Sequence, residues 1–344
     1  RWRAAHAAAG AMSVDTVVIG AGWAGLSAAT VLDAAGHNVV VIEKARGPGG
    51  RSATRRTSHA RFDLGAQYFT VRNAAFGRQV QQWRDLGLVQ PWKPRLAVFG
   101  DRPVSSGSEE VLRFVGVPGM SSICRHMADQ LNDRQQCRWQ TRVERLEFDG
   151  LWHLELANAD GDEPERISAR RLLITAPPAQ AAALLGLEDP LHARLAAVRF
   201  DPCVTALLSF SEALNAGLDA AFVNLPGALS WVARNSSKPG RDGEDWVLHG
   251  AGDWSRDRLD QPLDRLADEL AAAFSNLLEK PLPSIQHQSA HRWRYAQARQ
   301  ALDIGFIEDA ERRLAIAGDW LSGSRIEGAW TSGWRAGSGL AQAD

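Results

Sequence analysis

An α/β fold is predicted for this chain: a parallel sheet built from βαβ units, carrying a second, β-rich domain. Three observations predict it. A β-branched run at residues 16–19 leads into a glycine-rich turn and an Ala/Leu-rich helix. Short apolar runs recur at residues 38–42, 171–175 and 313–317. Between residues 204 and 251, alternating apolar and polar stretches are separated by turn-rich loops such as SSKPGRDGED. Continuous apolar runs suit strands covered on both faces, whereas alternation suits a sheet with two chemically different faces.

The elements follow in order. After the first strand, residues 24–35 predict a helix that stops at Gly36, a residue suited to the left-handed position past a helix end. The second strand, 38–42, ends at Glu43, and the crossover between the two strands is expected to be right-handed. Residues 76–86 read as a helix, 91–116 as short strands and turns, and 120–131 as a helix after the Pro118–Gly119 turn. Alternation at 142–148 and 152–157 predicts a hairpin around Asp149 and Gly150. Pro177 and Pro178 end the strand at 171–175. Residues 263–278 form an amphipathic pattern, 313–317 a further buried strand and 328–341 a closing helix. The expected nucleotide-binding domain is discontinuous, at 12–72, 118–176 and 310–344, with the substrate domain at 73–117 and 177–309. Residues 1–11 read as an extension outside the fold.

Composition excludes some functions. The 344 residues carry a formal net charge of −1, which gives no overall field for nucleic acid or an anionic membrane. No apolar run is long enough to span a bilayer, and the alanine-rich start lacks an apolar signal-peptide segment. Cys124, Cys137 and Cys203 are widely spaced, without metal-ligand spacing, and read as buried thiols of a reducing, cytoplasmic compartment.

Gly20, Gly22 and Gly25 form GxGxxG between a strand and a helix, with the acid Glu43 twenty-three positions beyond Gly20. In that context each residue has a physical task in a Rossmann-type site. Gly20 turns the chain, Gly22 lets a pyrophosphate approach the backbone, and Gly25 permits close helix–strand packing. The helix N-terminus offers free N–H groups to the phosphates. Glu43 accepts from ribose hydroxyls.

Lys44, Gly50 and Arg51, within KARGPGGR, resemble the second signature of the flavoprotein amine oxidase superfamily. Gly318 and Asp319, followed by Glu327, Gly328 and Ala329 at a helix start, resemble its terminal signature. The resemblance implies FAD, held non-covalently because no cysteine lies in the C-terminal segment. It also implies that Asp319 meets the ribitol, that the helix entrance meets the flavin, and that Val143 lies against adenine. The stretches FDLGAQYFT (62–70), WVARNSSKP (231–239), HRWRYA (291–296) and GDW…EGAW (318–330) are similar to the bacterial renalase-like proteins. That resemblance covers the chain from about residue 14 onward. It implies the p-hydroxybenzoate-hydroxylase-like fold and oxidation of 2- or 6-dihydro isomers of NAD(P) to NAD(P)⁺, with O₂ reduced to H₂O₂.

Tyr68, Asn235, His249, His291, Trp293 and Tyr295 are the candidate substrate-positioning residues. Rings suit stacking on nicotinamide, and Asn or His suits its carboxamide. Core packing remains the alternative for each. Arg55, Arg56 and Arg61 read as a solvated basic face or as an attraction for phosphates. The four lysines are Lys44, Lys93, Lys238 and Lys280; Lys238 reads as part of a polar loop, and none fits the bridging role at flavin N5 that amine oxidases use. Two other functions stay open: a flavin amine oxidase for a small amine or polyamine, and a non-catalytic flavin-binding protein. A monomer or weak dimer acting on a small nucleotide substrate and O₂ is the expected state.

Overall fold

The computed structural model describes residues 12–58, 60–100, 111–131, 136–158 and 165–342; the extension expected at 1–11 lies outside them. The chain opens with β1 (Met12–Ile19), α1 (Trp23–Ala34) and β2 (Val39–Ile42), and the two strands pair in parallel. Gly36, at φ +86°, follows α1 as expected. A hairpin of β3 (Thr54–Arg56) and β4 (Arg61–Asp63) precedes α2 (Ala74–Asp85), whose first amides are capped by the Asn73 side chain. Then come β5 (Val89–Trp92), β6 (Leu96–Phe99), β7 (Arg113–Gly116) and α3 (Ser121–Asp129). Next are β8 (Cys137–Arg138), β9 (Thr141–Phe148), β10 (Trp152–Asn158), β11 (Glu165–Ile174), α4 (Pro178–Leu185) and α5 (His192–Ala196).

The second half holds β12 (Phe200–Phe210), β13 (Ala220–Val223), β14 (Leu229–Arg234), β15 (Asp245–Gly250), α6 (Gly252–Arg256), α7 (Leu263–Leu278) and β16 (Ile285–Ala298). β17 (Ile307–Asp309), β18 (Leu314–Ile316) and α8 (Ile326–Gln342) close the chain.

Two sheets carry the architecture. The first has eight strands in the order β17-β18-β11-β1-β2-β8, with the β9–β10 hairpin attached to β11. β1, β2, β8, β11 and β18 run parallel, their residues buried among α1, α3, α8 and the hairpin side. β11 starts at Glu165, ahead of the expected 171, because its first half pairs with β10 and only its second half with β18. α8 lies directly on α1. A Cβ on Gly333 would sit 2.0 Å from the Ala24 carbonyl oxygen, and one on Gly337 2.8 Å from that of Ala28, so glycine is needed at this crossing.

The second sheet has six strands, β16-β12-β15-β14-β13-β6. α7 covers one face of it: Leu266, Leu270 and Phe274 pack on Val204, Ala206, Leu208, Trp246 and Leu248. The alternate residues of the same strands point toward the first sheet, where Leu207 and Val247 meet Phe62 and Leu64, and Trp231 and Ala233 join the core around α1 and α2. β16 spans 14 residues in a region for which the sequence reading gave no element bounds. It is an edge strand with few apolar side chains, so its period does not show in the sequence.

Candidate active site

The glycine turn is shaped as a cradle. Gly20 holds φ +106°, where side chains are strained, and a Cβ on Gly25 would lie 1.9 Å from the Gly20 carbonyl oxygen. Gly22 differs: it caps α1 in an extended conformation, and an added Cβ would meet no protein atom within 4 Å. The protein itself gives no reason for glycine there, whereas a phosphate approaching the backbone does. Glu43 abuts the same turn, accepting from the Ala21 amide (2.9 Å) and the Ala45 amide (2.8 Å). Each carboxylate oxygen keeps a lone pair for ribose hydroxyls.

The second glycine cluster folds over this turn. The Gly49 amide donates to the Ala21 carbonyl (2.9 Å), and a Cβ on Gly50 would approach Gly22 Cα at 3.5 Å. Arg51 then reaches the other end of the chain, its Nη2 donating to Asp319 Oδ1 at 2.6 Å and its Nη1 to Oδ2 at 3.1 Å. The early turn and the terminal Gly–Asp motif are therefore neighbours. Gly318 is fixed by its amide bond to Ser332 Oγ (2.9 Å), and a Cβ on Gly328 would strike the Ser322 carbonyl oxygen at 2.0 Å. Ala329 follows in the first turn of α8, which begins at Ile326, ahead of the expected 328.

Three residues expected at the cofactor are occupied elsewhere. Lys44 Nζ donates to Gln180 Oε1 (2.9 Å) at the surface, on α4. Glu327 Oε1 accepts from the amides of Arg72 (2.8 Å) and Asn73 (2.6 Å), fastening α8 to the start of α2. Val143 is buried within β9, in the core with Val40, Ile42 and Leu156.

Above the cradle lies the face of the second sheet turned away from α7. Trp231, His249, Thr205 and His291 stand opposite one another across β14, β15, β12 and β16, so their side chains share that face. Trp293 and Tyr295 alternate with His291 along β16. The Trp293 ring meets His291 edge-on (centroids 4.3 Å) and donates to the Leu64 carbonyl (3.3 Å), while Tyr295 meets Phe200 edge-on. Tyr68 packs at 5.7 Å from Trp231 and 6.1 Å from Trp92, with Arg113 over its ring. Trp231, which the sequence reading did not single out, is buried with its indole N–H unpartnered.

Asn235 is not on this face. Its Nδ2 donates to the Arg61 carbonyl (2.6 Å) and its Oδ1 accepts from Arg241 (2.9 Å), so both ends of the amide are consumed. A substrate carboxamide has nothing to bind there.

Asn235 belongs instead to a buried charge cluster that sequence reasoning missed. Lys238 is fully buried rather than part of a solvated loop, with Nζ 3.0 Å from Asp63 Oδ2, 2.9 Å from Gln67 Oε1 and 3.4 Å from Asn235 Oδ1. Arg241 also reaches Asp63, at 2.6 Å. Asp63 further accepts from the Met120 amide and the Thr54 hydroxyl. Two cations share one carboxylate. Burial opposes ionisation of Asp63, but the two cations and the Met120 amide together hold it below the usual carboxylate range. Desolvation dominates for Lys238, pulling it down to about 7 against the attraction of Asp63. The signal in the sequence was Asp63 itself, a carboxylate between Phe62 and Leu64 that must find a cation once buried.

The histidines of the face are held neutral. Desolvation, then the Lys238 charge, pushes His249 down to about 4. Desolvation, then Arg55 and Arg292, pushes His291 down to about 4. Gln67 Nε2, whose orientation is set by Lys238 on one side and two carbonyls on the other, lies 3.5 Å from His249 Nε2.

A Rossmann-type cradle beneath an aromatic face of a second sheet is the layout of a nucleotide-binding α/β protein. The chain belongs to the flavin-containing amine oxidoreductase family, whose model matches residues 75–338, and an NAD(P)-binding Rossmann-like domain model matches residues 18–82. Its cofactor is FAD. Hydroxyneurosporene desaturase of Rubrivivax gelatinosus is 36% identical over 121 residues, 29% of this chain and 23% of that protein. The Mycobacterium tuberculosis (strain ATCC 25618 / H37Rv) protein AofH, which bears the name of a flavin-containing monoamine oxidase, is 37% identical over 37% of this chain and 32% of its own length. These matches thus span about a quarter to a third of the curated relatives. A solved structure from Exiguobacterium sp. 255-15, bearing the name of a protoporphyrinogen oxidase, superposes with a TM-score of 0.74 over 97% of this chain and 100% of that one, at 13% identity. Putrescine oxidase bound to putrescine gives 0.68 over 96% and 99%, also at 13% identity. Such likenesses bear on the fold alone. Among the described residues no helix is long and apolar enough to cross a membrane.

Proposed function

We propose that the protein oxidises isomeric 2- or 6-dihydro-NAD(P) to NAD(P)⁺ in the manner of the renalase-like proteins. The single observation that carries this reading is the charge beside the aromatic face of the second sheet, taken as the wall of the chamber in which the substrate lies. Arg55 and Lys238 adjoin it, and both its histidines are held neutral by burial and those cations. The two carboxylates next to it are consumed, Asp63 by Lys238 and Arg241, Asp319 by Arg51. Such surroundings disfavour an ammonium substrate and favour one that carries phosphate.

Gly20, Gly22, Gly25, Glu43, Gly50, Arg51, Gly318, Asp319 and the Gly328–Ala329 helix entrance are taken to hold the cofactor. The division into a nucleotide domain and a substrate domain is taken as expected from the sequence. FAD, when bound, would supply the two-electron acceptor for the ring, with O₂ as terminal oxidant and H₂O₂ as product. Trp293 and Tyr68, both partly exposed, offer flat surfaces for the dihydropyridine, with Trp231 buried behind Tyr68. His249 and His291 act as neutral hydrogen-bonding groups. Loss of a hydrogen with its electron pair turns the ring into an aromatic pyridinium, so no base is required in that step; positioning and exclusion of water are the protein's part.

The amine-oxidase reading has Lys238 on its side, a buried lysine beneath the chamber. Its three N–H bonds, however, are directed at Asp63, Gln67 and Asn235, leaving none for a water at the flavin. Mixing the holoprotein with each purified isomer under argon is expected to bleach the flavin, with colour returning in air. Absence of bleaching by both isomers would overturn the proposal, and bleaching by an amine instead would establish the amine-oxidase reading.

A further inference from the structure

We propose that Arg55, seated against His291 at the edge of the chamber, is the subsite for the pyrophosphate of the nucleotide substrate. The inference rests on the dihydronicotinamide reading and extends it to the part of the substrate that does not react.

The β3–β4 register separates three arginines that look alike in the sequence. Arg55 stands opposite Phe62, and Arg56 opposite Arg61. Phe62 is fully buried against Leu207, Val247 and Trp293, so Arg55 is turned toward the sheet, while Arg56 and Arg61 are exposed. The half-buried guanidinium donates to the Ala290 carbonyl (3.3 Å) and contacts His291 Nδ1 (3.3 Å). Both partners are neutral and both contacts are long, so most of the five guanidinium N–H bonds have no strong acceptor.

Arg51, Arg241 and Arg312 are neutralised by Asp319, Asp63 and Asp189, whereas Arg55, like the partly buried Arg113, Arg292 and Arg313, forms no such pair among the described residues. Among the described residues Arg55 has no carboxylate within ion-pair distance. Partial burial lowers its affinity for the proton with no anion to restore it. A desolvated cation without a counter-ion is costly, and an incoming anion relieves that cost. Because His291 is neutral and its Nδ1 faces a group that only donates, its proton sits on Nε2, on the side of the ring away from Arg55, and the guanidinium is left as the donor for an anion. Trp293 meets His291 edge-on at 4.3 Å. The geometry thus sets a fork for phosphate oxygens next to a surface for a flat ring, the two ends of a nicotinamide nucleotide.

The test is calorimetric titration of the holoprotein with NAD⁺, NADP⁺, ADP-ribose and the phosphate-free nicotinamide riboside. R55Q is expected to weaken NAD⁺, NADP⁺ and ADP-ribose alike, by about ten- to a hundredfold, the size of a charge-assisted contact. Riboside affinity should not change. R56Q removes the same charge from the outward face and should leave all four affinities near wild type. R55K, which keeps the charge without the fork, should fall between. If R55Q does not retain flavin, inorganic pyrophosphate competing with NAD⁺ on the wild-type protein reads the same site.

Equal losses in R55Q and R56Q would show a general field rather than a site. A loss confined to NADP⁺ would move the contact to the 2′-phosphate, and failure of pyrophosphate to compete would remove the subsite. Each overturns the proposal. ADP-ribose binding through Arg55 without flavin bleaching by dihydronicotinamides would leave the subsite standing and defeat the activity reading, so the two failures are distinguishable.

Discussion

The two faces of the six-stranded sheet use the same strands for opposite purposes. On the α7 side, Val204, Ala206, Leu208, Trp246 and Leu248 meet Leu266, Leu270 and Phe274, and every one of them is fully buried. One residue along, on the side facing the cofactor cradle, stand Trp231, Thr205, His249, His291 and Trp293, several of them partly exposed or with an unpartnered polar atom. The first face is a packing surface, stabilised by apolar burial. The second buries Thr205 and Trp231 but leaves His249, His291 and Trp293 partly exposed. The alternation of a β-strand allows both within one set of residues, and the charge cluster around Asp63 supports the second face where packing does not.

Substitutions can separate the two roles. The largest effect is expected at the support. Asp63→Ala strands Lys238 and Arg241 in the interior and should cost about 3–5 kcal/mol in a urea titration, with loss of flavin. Lys238→Met leaves the Asp63–Arg241 pair intact but strands the buried Gln67 Oε1, so its cost should be about 1–3 kcal/mol, below that of Asp63→Ala. A larger loss for Lys238→Met than for Asp63→Ala would mean that the cluster is not built around its single carboxylate. Phe274→Ala comes next. It opens a cavity on the packed face and should cost ~3 kcal/mol or more, while NAD⁺ affinity of the protein that remains folded is unchanged. Altered affinity there would deny that the faces are separable.

How much of this was legible depends on how local each feature is. The glycine turn, α1 and Glu43 could be read because strand, turn and helix are contiguous, and α7 because its apolar stripe has the helical period. Lys238 could not be read: its loop, SSKPGRDGED, looks solvated, and its partner Asp63 lies 175 positions away. Arg55 could not be separated from Arg56 and Arg61, because only the hairpin register decides which of them turns inward. Asn235 looked like a ligand-binding amide for the converse reason; nothing in its neighbourhood announced that Arg61 and Arg241 would saturate it. His249, His291 and Trp293 were read as candidate substrate-positioning residues, and the register brings them onto one face with Trp231, which was passed over as one tryptophan among 13.

A smaller effect is expected on the chemical face itself. Trp231→Phe keeps the ring and deletes the unpartnered N–H, so stability should change little or rise slightly, since a buried orphan donor is removed. NAD⁺ affinity, read by calorimetry, should stay within about twofold of wild type, since the N–H has no accessible surface from which to reach a ligand. If stability falls, Trp231 belongs with the packed face, and the boundary between the faces runs closer to His249.

The smallest expected effect is a pH limb, and its sign is fixed by the direction of the shifts. In the folded protein His249 and His291 are both pushed down to about 4, chiefly by desolvation, whereas in the unfolded chain they titrate at an ordinary histidine value, about 6.5. Between those values the unfolded chain binds more protons, so unfolding becomes easier as pH falls. Above that window neither state is protonated and the histidines contribute no slope; below it both states are, and the slope vanishes again. Urea midpoints measured between neutrality and the lower end of that window should therefore decline, and His249→Gln should flatten part of the decline relative to wild type. Carboxylates also destabilise the fold in acid, but they are common to both proteins and cancel in the difference. A His249→Gln curve parallel to wild type, or one that declines more steeply, would mean that His249 is already charged in the folded state. The chamber would then be able to hold a proton beside its rings, and the electrostatic argument against an amine substrate would fail with it.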